Sequence, residues 1–270
     1  MRLLYCGDVM GEAGRKVVID YVPELRRRLA LDFVVVNGEN SAGGFGVTEK
    51  ICRTFFEAGV DVVTTGNHVW DQRETIGYIA REPRLLRPCN YPKGTPGSGA
   101  GLFQLPGGRS VLVIQVMTRL FMEPLDDPFA AVEEAMASHR LVATVDAIVL
   151  DVHGEATSEK AALGYLVDGR ASMVVGSHSH VPTADTRILP AGTAFQTDAG
   201  MCGDYDSVIG MEKEVAIARF VTRMRTERLE PADGAGTLCA MFVETDDRTG
   251  LAKRAEPVRM GGLLAPNIPT

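Results

Sequence analysis

Of the five histidines in the 270 residues, His68, His153, His178 and His180 fall just beyond short apolar runs that read as strands, and only His139 does not. Other side chains able to hold a metal sit at equivalent places. Asp8 follows Leu3-Leu4-Tyr5-Cys6, Asn37, Glu39 and Asn40 follow Phe33-Val34-Val35-Val36, and Asn67 follows Val60-Asp61-Val62-Val63. A lone histidine after a strand is more often structural than functional. Four of them, in the company of carboxylates and carboxamides, are not a chance scatter. In an open α/β sheet the loops beyond the carboxyl ends of the strands meet in one crevice, so residues spread between positions 8 and 180 converge there. His178 and His180, in Gly-Ser-His-Ser-His, point to one side under strand-like periodicity and address a single centre.

Imidazoles alone suit zinc. The oxygen donors of Asp8, Glu39 and Asn67 favour a harder or mixed site holding iron or manganese, with zinc and magnesium left open. Asp8, Glu39, Asn67, His153, His178 and His180 are too many ligands for one catalytic ion that keeps an open position, and enough for two that share a carboxylate. Two ions ~3.5–4 Å apart hold a bridging hydroxide as nucleophile and clamp the oxygens of an in-line displacement at phosphorus, which is phosphoester hydrolysis. A closed structural metal site needs only four ligands and fits the pattern poorly.

The elements that must position these residues alternate. Val111-Leu112-Val113-Ile114, Ala147-Ile148-Val149-Leu150 and Met173-Val174-Val175 join the three runs above as expected buried strands, and helical spacing covers Arg15 to Leu29 and Thr48 to Ala58. An α/β core follows. The Pro- and Gly-rich stretch from Arg87 to Gly101 reads as a loop over the surface. Glu212 to Arg223 reads as a helix, and Leu238 to Glu244 with Ala255 to Arg259 as a closing hairpin in a second sheet. With no internal repeat, low-complexity tract or Gly/Ser-rich linker, residues 1–270 are expected to form a single domain.

Composition narrows the function classes. Hydrophobic residues at 45% and charged residues at 23% give an ordinary globular balance and exclude disorder. The net charge of −7 opposes a dedicated nucleic-acid binder, so a phosphorylated substrate requires local positive charge. No apolar run approaches the ~20 residues of a spanning helix, and a cytoplasmic protein without membrane partners is expected. Five cysteines with no CxxC pair argue for buried free thiols rather than a disulfide frame or zinc knuckle.

Gly7-Asp8-Val9, Asn37-Gly38-Glu39-Asn40, Gly66-Asn67-His68-Val69-Trp70-Asp71, the stretch from Asp151 to Lys160 and Gly176-Ser177-His178-Ser179-His180 together resemble the calcineurin-like metallophosphoesterases. Within them they are most similar to the YmdB-like phosphodiesterases. The resemblance spans nearly the whole chain. It implies a four-layer α/β/β/α sandwich with two mixed β-sheets flanked by helices. It also implies one ion held by Asp8, Glu39, Asn40 and His180, and a second by Glu39, Asn67, His153 and His178. His68 is then left to protonate the leaving alkoxide, a role that suits a group with a near-neutral pKa. Two positions depart from the wider superfamily: Asp8-Val9-Met10 stands where Asp-x-His is usual, with Asn40 in place of the missing imidazole, and Glu39 stands where an aspartate usually bridges.

The substrates so implied are small phosphodiesters: cyclic nucleotides such as 2',3'-cAMP or 3',5'-cAMP, or RNA-derived species. A phosphomonoesterase or protein phosphatase would use the same metals, and a regulatory protein that binds RNA or a protein partner could retain the ligands without turnover. A homo-oligomer is left open. Other motifs weigh less. Gly43-Gly44-Phe45-Gly46 lacks the continuation of a P-loop and reads as a turn. Arg119 and Arg170 are more often surface ion-pair partners than phosphate ligands, and Trp70 more often core than a base-stacking platform. Asp71 orients His68 or caps a helix.

Overall fold

Strands buried on both faces read as continuous apolar runs, and such runs lie at the centre of this chain. A computed structural model describes residues 1–224 and 227–270. In order, the first half contains β1 (Arg2–Cys6), β2 (Asp8–Val9), α1 (Gly11–Leu29), β3 (Phe33–Asn37), α2 (Glu49–Glu57), β4 (Val62–Thr64), α3 (Thr75–Ile79), β5 (Ala100–Gln104) and β6 (Ser110–Met117). The second half contains α4 (Pro128–Met136), β7 (Ala147–His153), α5 (Thr157–Leu166), β8 (Met173–Ser177), β9 (Arg187–Ile188), β10 (Ala194–Gln196), β11 (Met201–Asp204), α6 (Lys213–Thr222), β12 (Gly236–Thr245) and β13 (Ala252–Met260).

These strands form two mixed sheets. In the first, β1, β3 and β4 run parallel, β12 lies antiparallel between β1 and β13, and β11 pairs with the start of β12 and with β2. In the second, β6, β7, β8 and β10 run parallel between antiparallel edges β5 and β9. Alternation along the strands sorts the side chains between layers. Leu3, Tyr5, Phe33 and Val35 pack with Val111, Val113, Val149 and Val175 between the sheets. Leu4, Cys6, Val34 and Val36 turn the other way, onto Val18, Val22 and Leu25 of α1 and Phe55 of α2. Leu112, Ile114, Ile148 and Leu150 meet Val132 of α4 and Leu163 of α5. The result is a four-layer α/β/β/α sandwich.

Helix α2 starts where its cap predicts, with Thr48 Oγ1 accepting the Ile51 amide at 3.3 Å. Helix α1 begins at Gly11, four residues before its apolar periodicity becomes readable at Arg15. The reason is Gly14: a Cβ there would lie 2.1 Å from the Cys202 carbonyl oxygen, so α1 rests on β11 without a side chain to signal it.

Two expectations are corrected. The closing hairpin β12–β13 joins the first sheet, beside β1, rather than a second one; β12 is almost wholly buried because it has neighbours on both sides. The stretch from Arg87 to Gly101 is not a surface loop throughout. Arg87, Pro88 and Asn90 are buried, the Cys89 amide donates to Gln115 O at 2.7 Å, and Ala100 and Gly101 already belong to β5. Buried backbone needs partners, and the Arg87 guanidinium supplies them by donating to the carbonyls of Pro88, Thr95, Pro96 and Gly97. All five cysteines are free thiols, four of them buried. No helix among the described residues is long and apolar enough to cross a membrane.

Candidate metal centre

Each residue singled out for metal binding lies at or just past a strand end on one edge of the sandwich, and the fold brings them together. Ligand atoms of Asp8, Glu39 and His180 lie within 4.8 Å of one another, as do those of Glu39, His153 and His178. Glu39 is common to both groups. Asn40 Oδ1 adds to the first, 3.2 Å from His180 Nε2, and Asn67 Oδ1 to the second, 2.9 Å from His153 Nε2.

These groups are oriented from behind. Asn40 Nδ2 donates to Gly44 O at 2.9 Å, which turns its Oδ1 toward the centre, and His180 Nδ1 donates to Ile209 O at 2.7 Å. His153 Nδ1 donates to Ser177 Oγ at 2.9 Å, whose hydroxyl donates in turn to the buried carboxylate of Asp151 at 2.8 Å. With each ring neutral, Nε2 then presents a lone pair to a carboxamide oxygen, acceptor against acceptor, a mismatch that a cation between them, a proton or a metal ion, resolves. Asp8 carries the same signature. Its Oδ2 accepts the His178 amide at 3.0 Å, while its buried Oδ1 has no hydrogen-bond partner. Buried polar atoms are rarely left so. Mixed carboxylate, carboxamide and imidazole donors fit two divalent ions.

The electrostatics agree. Burial, only partly offset by His180 and His153, pushes Asp8 up to about 6. Burial would raise Glu39 too, but His153, His68 and His178 outweigh it and hold Glu39 at about 2. For His153 burial opposes the charged form, yet Glu39, Asp8 and Asp151 push it up to about 9, so the carboxylates that would attract a metal ion hold a proton on that ring in its absence. Burial and repulsion from His153 hold His178 down at about 3. Acids and bases are thus driven apart in one crevice, as at functional sites.

Convergence of His178 and His180 is achieved differently from the strand-like alternation expected of them. Strand β8 stops at Ser177, and both histidines adopt positive φ, +96° and +63°. Such conformations cost a non-glycine residue roughly 1–3 kcal/mol and persist where surroundings impose them. His68 sits at the mouth of the same crevice. Its amide donates to Glu39 Oε2 at 3.3 Å, its ring packs edge-on against Phe45, and its Nδ1 lies 2.7 Å from Asp71 Oδ2, which leaves Nε2 for the cleft. Asp71 therefore orients His68; α3 has Glu74, not Asp71, at its cap position.

Above the centre is a cleft of about 380 Å³. Glu39, Asn40, His68, His178 and His180 form one side, and Met10, Phe45, Ile209, Met211 and Leu229 form an apolar wall. A larger hollow of about 500 Å³ beside Glu133, His139 and Arg170 has no comparable converging donor set among the described residues. Arg170 is engaged there with Glu133 at 3.0 Å, and Trp70 packs edge-on against Tyr91, so neither faces the centre.

Sequence reasoning missed several contributors. A Cβ at Gly66 would fall 2.2 Å from Glu39 Oε2 and 2.4 Å from His153 Nε2, so only glycine leaves room for the ligands. Asp151 and Ser177 orient His153; an aspartate interrupting the apolar run of β7 was the readable signal for the former. Glu159, which the sequence motif already marks as a residue that matches the family signature or only shapes the loop, accepts the amides of Arg119 and Leu120 and pins the loop after β6.

A mixed α/β sandwich gathering carboxylates, carboxamides and imidazoles at its strand ends is the framework of a metallophosphoesterase-type hydrolase of phosphoesters. The sequence matches the family model described as "YmdB-like protein" over residues 4–258. It is 45% identical over 258 residues to a 2',3'-cyclic-nucleotide 2'-phosphodiesterase of Bacillus subtilis, covering 96% of each chain. Two crystal structures superpose with a TM-score of 0.90. One is a hypothetical protein from Thermus thermophilus, at 42% identity over 97% of this chain and 100% of that one. The other, described as a novel phosphatase from Mycoplasma pneumoniae, is 31% identical over 97% and 93% of the two chains. The chain belongs to the YmdB-like family.

Proposed function

We propose that the protein is a dinuclear metal-dependent phosphodiesterase acting on small phosphodiesters, foremost 2',3'-cyclic nucleotides, with 3',5'-cyclic nucleotides and RNA-derived diesters as further substrates. The name of the Bacillus relative supports the substrate class. The observation that carries the reading is that Glu39 is shared by two donor groups, one with His180 facing Asn40 Oδ1 and the other with His153 facing Asn67 Oδ1, beside a buried Asp8 oxygen that has no hydrogen-bond partner. Asp8, Glu39, Asn40 and His180 would hold one ion, and Glu39, Asn67, His153 and His178 the other. Iron or manganese suits this donor set. When bound, such a pair supplies Lewis-acid polarisation of the phosphoryl oxygens and makes water acidic enough to attack phosphorus near neutral pH.

The remaining roles belong to the chain itself. His68 donates a proton from Nε2 to the leaving ribose oxygen, and Asp71, bound to Nδ1, fixes the ring and stabilises the imidazolium from which that proton comes. The apolar wall of Met10, Phe45, Met211 and Leu229 receives the nucleoside and sheds water from the site. With manganese added, turnover of bis-p-nitrophenyl phosphate should exceed that of the monoester by at least about tenfold, with 2',3'-cAMP opened to a monoester. Preference for the monoester would make the protein a phosphomonoesterase or protein phosphatase. No hydrolysis of either, with tight binding of RNA or a protein, would favour the regulatory role.

A further inference from the structure

The histidines His178 and His180 occupy backbone conformations that their residue type disfavours, so something other than local preference must impose them. The peptide groups around His178 show what does. Its own amide donates to Asp8 Oδ2 at 3.0 Å. The carbonyl before it, Ser177 O, accepts from Lys160 Nζ at 2.7 Å. The amide after it, that of Ser179, donates to Asp198 Oδ2 at 3.1 Å. Lys160 and Asp198 are bound to each other at 2.8 Å, and both side chains are 1% exposed. The second oxygen of Asp198 accepts the Gly200 amide at 2.8 Å, at the start of β11.

Two partners of this ion pair, Ser177 O and the Ser179 amide, therefore flank the metal-facing His178, and the third, the Gly200 amide, ties the pair to β11. Stability alone does not account for it. A buried pair recovers its desolvation cost only with good geometry, and apolar residues of similar volume are often as stable. What an apolar pair cannot do is hold a carbonyl and an amide on opposite sides of one residue. We propose that Lys160 and Asp198 are positioning residues of the metal centre, an internal clamp that fixes both peptide groups flanking His178 and so sets the His178-Ser179-His180 turn before any ion arrives. The clamp rests on the reading of this crevice as a metal centre, and it assigns Lys160 a task distinct from ligation or proton transfer.

Two measurements test it. In the metal-free wild-type protein, hydrogen exchange at the Ser179 and His178 amides should already be slowed at least about 10²-fold against an unstructured chain, as for other buried hydrogen-bonded amides. If these amides exchange freely until manganese is added, the ion shapes the turn and the clamp is refuted. The second uses Lys160→Met with Asp198→Asn, a charge-balanced pair of near-equal volume. The thermal midpoint of the metal-free variant should fall by only several degrees, the cost of a buried backbone group left unpaired, while its manganese affinity, measured by equilibrium dialysis and elemental analysis, falls roughly 10–100-fold. A folded variant that binds manganese within twofold of wild type overturns the proposal, and if the variant does not fold, the exchange measurement on wild type decides. Wild type that binds no manganese removes the metal reading itself; wild type that binds two ions beside an equally competent variant removes only the clamp.

Discussion

Replacing Gly66 by alanine adds one methyl group at the most crowded point of the centre. That methyl would sit 2.2 Å from Glu39 Oε2 and 2.4 Å from His153 Nε2, whereas ordinary contact begins at 3.4 Å, so these groups must withdraw by 3.4 − 2.2 = 1.2 Å and 3.4 − 2.4 = 1.0 Å. His153 has little freedom to do so, being fully buried and tied through Nδ1 to Ser177. Glu39 is the residue common to both donor groups. The backbone itself tolerates the change, because Gly66 is not among the residues with positive φ. The cost therefore falls on function as well as on folding. Overpacking takes about 1–3 kcal/mol of stability, while an ångström of misplacement at a reacting centre costs about 10²-fold in rate, or about 2.7 kcal/mol in the barrier. The assay is kcat/KM on bis-p-nitrophenyl phosphate beside metal content by elemental analysis. A folded Gly66→Ala protein with a full metal complement and a rate within threefold of wild type would refute the reasoning.

The other predictions are simpler. His68→Ala should keep its metal, because only its backbone amide contacts Glu39, and should lose roughly 10²–10⁴ in rate on 2',3'-cAMP but little on a p-nitrophenyl ester, whose leaving group needs no proton; equal losses on both would remove the acid role. Asp185 titrates at about 2, since burial, which alone would raise it, is outweighed by hydrogen bonds from Thr183 and Thr197 and by Arg187. Its folded pKa lies below the unfolded ~3.9, so its contribution is full above about pH 4 and disappears as the pH falls toward 2. Its side chain is one-third exposed, and with solvent screening about 1 kcal/mol is expected. Urea unfolding of Asp185→Asn against wild type should show that difference at pH 7 and a smaller one at pH 2.5; a gap that does not shrink would contradict the assignment.

The strands and the candidate ligands were readable for the same reason. A strand buried on both faces is a run of Val, Ile and Leu, and a polar residue ending such a run stands out, which is how Asp8, Glu39, Asn67, His153 and His178 announce themselves. What supports them does not stand out. Lys160 lies on a helix 38 residues before Asp198, and nothing in local pattern pairs them. Gly66 reads as a turn residue until the neighbours that exclude a Cβ are known. The turn at His178 looks like continuing strand because alternation does not reveal positive φ. The hairpin β12–β13 was recognisable as a hairpin, but which sheet it joins depends on pairing with β1, more than 230 residues away in the register Leu4 to Phe242.

The central claim is that one crevice holds two ions bridged by Glu39. Anomalous scattering from crystals of the manganese-loaded protein tests it most directly. Two peaks about 3.5–4 Å apart are predicted, one bounded by Asp8, Asn40 and His180, the other by Asn67, His153 and His178, with Glu39 between them. A single peak, or two that do not share Glu39, would contradict it.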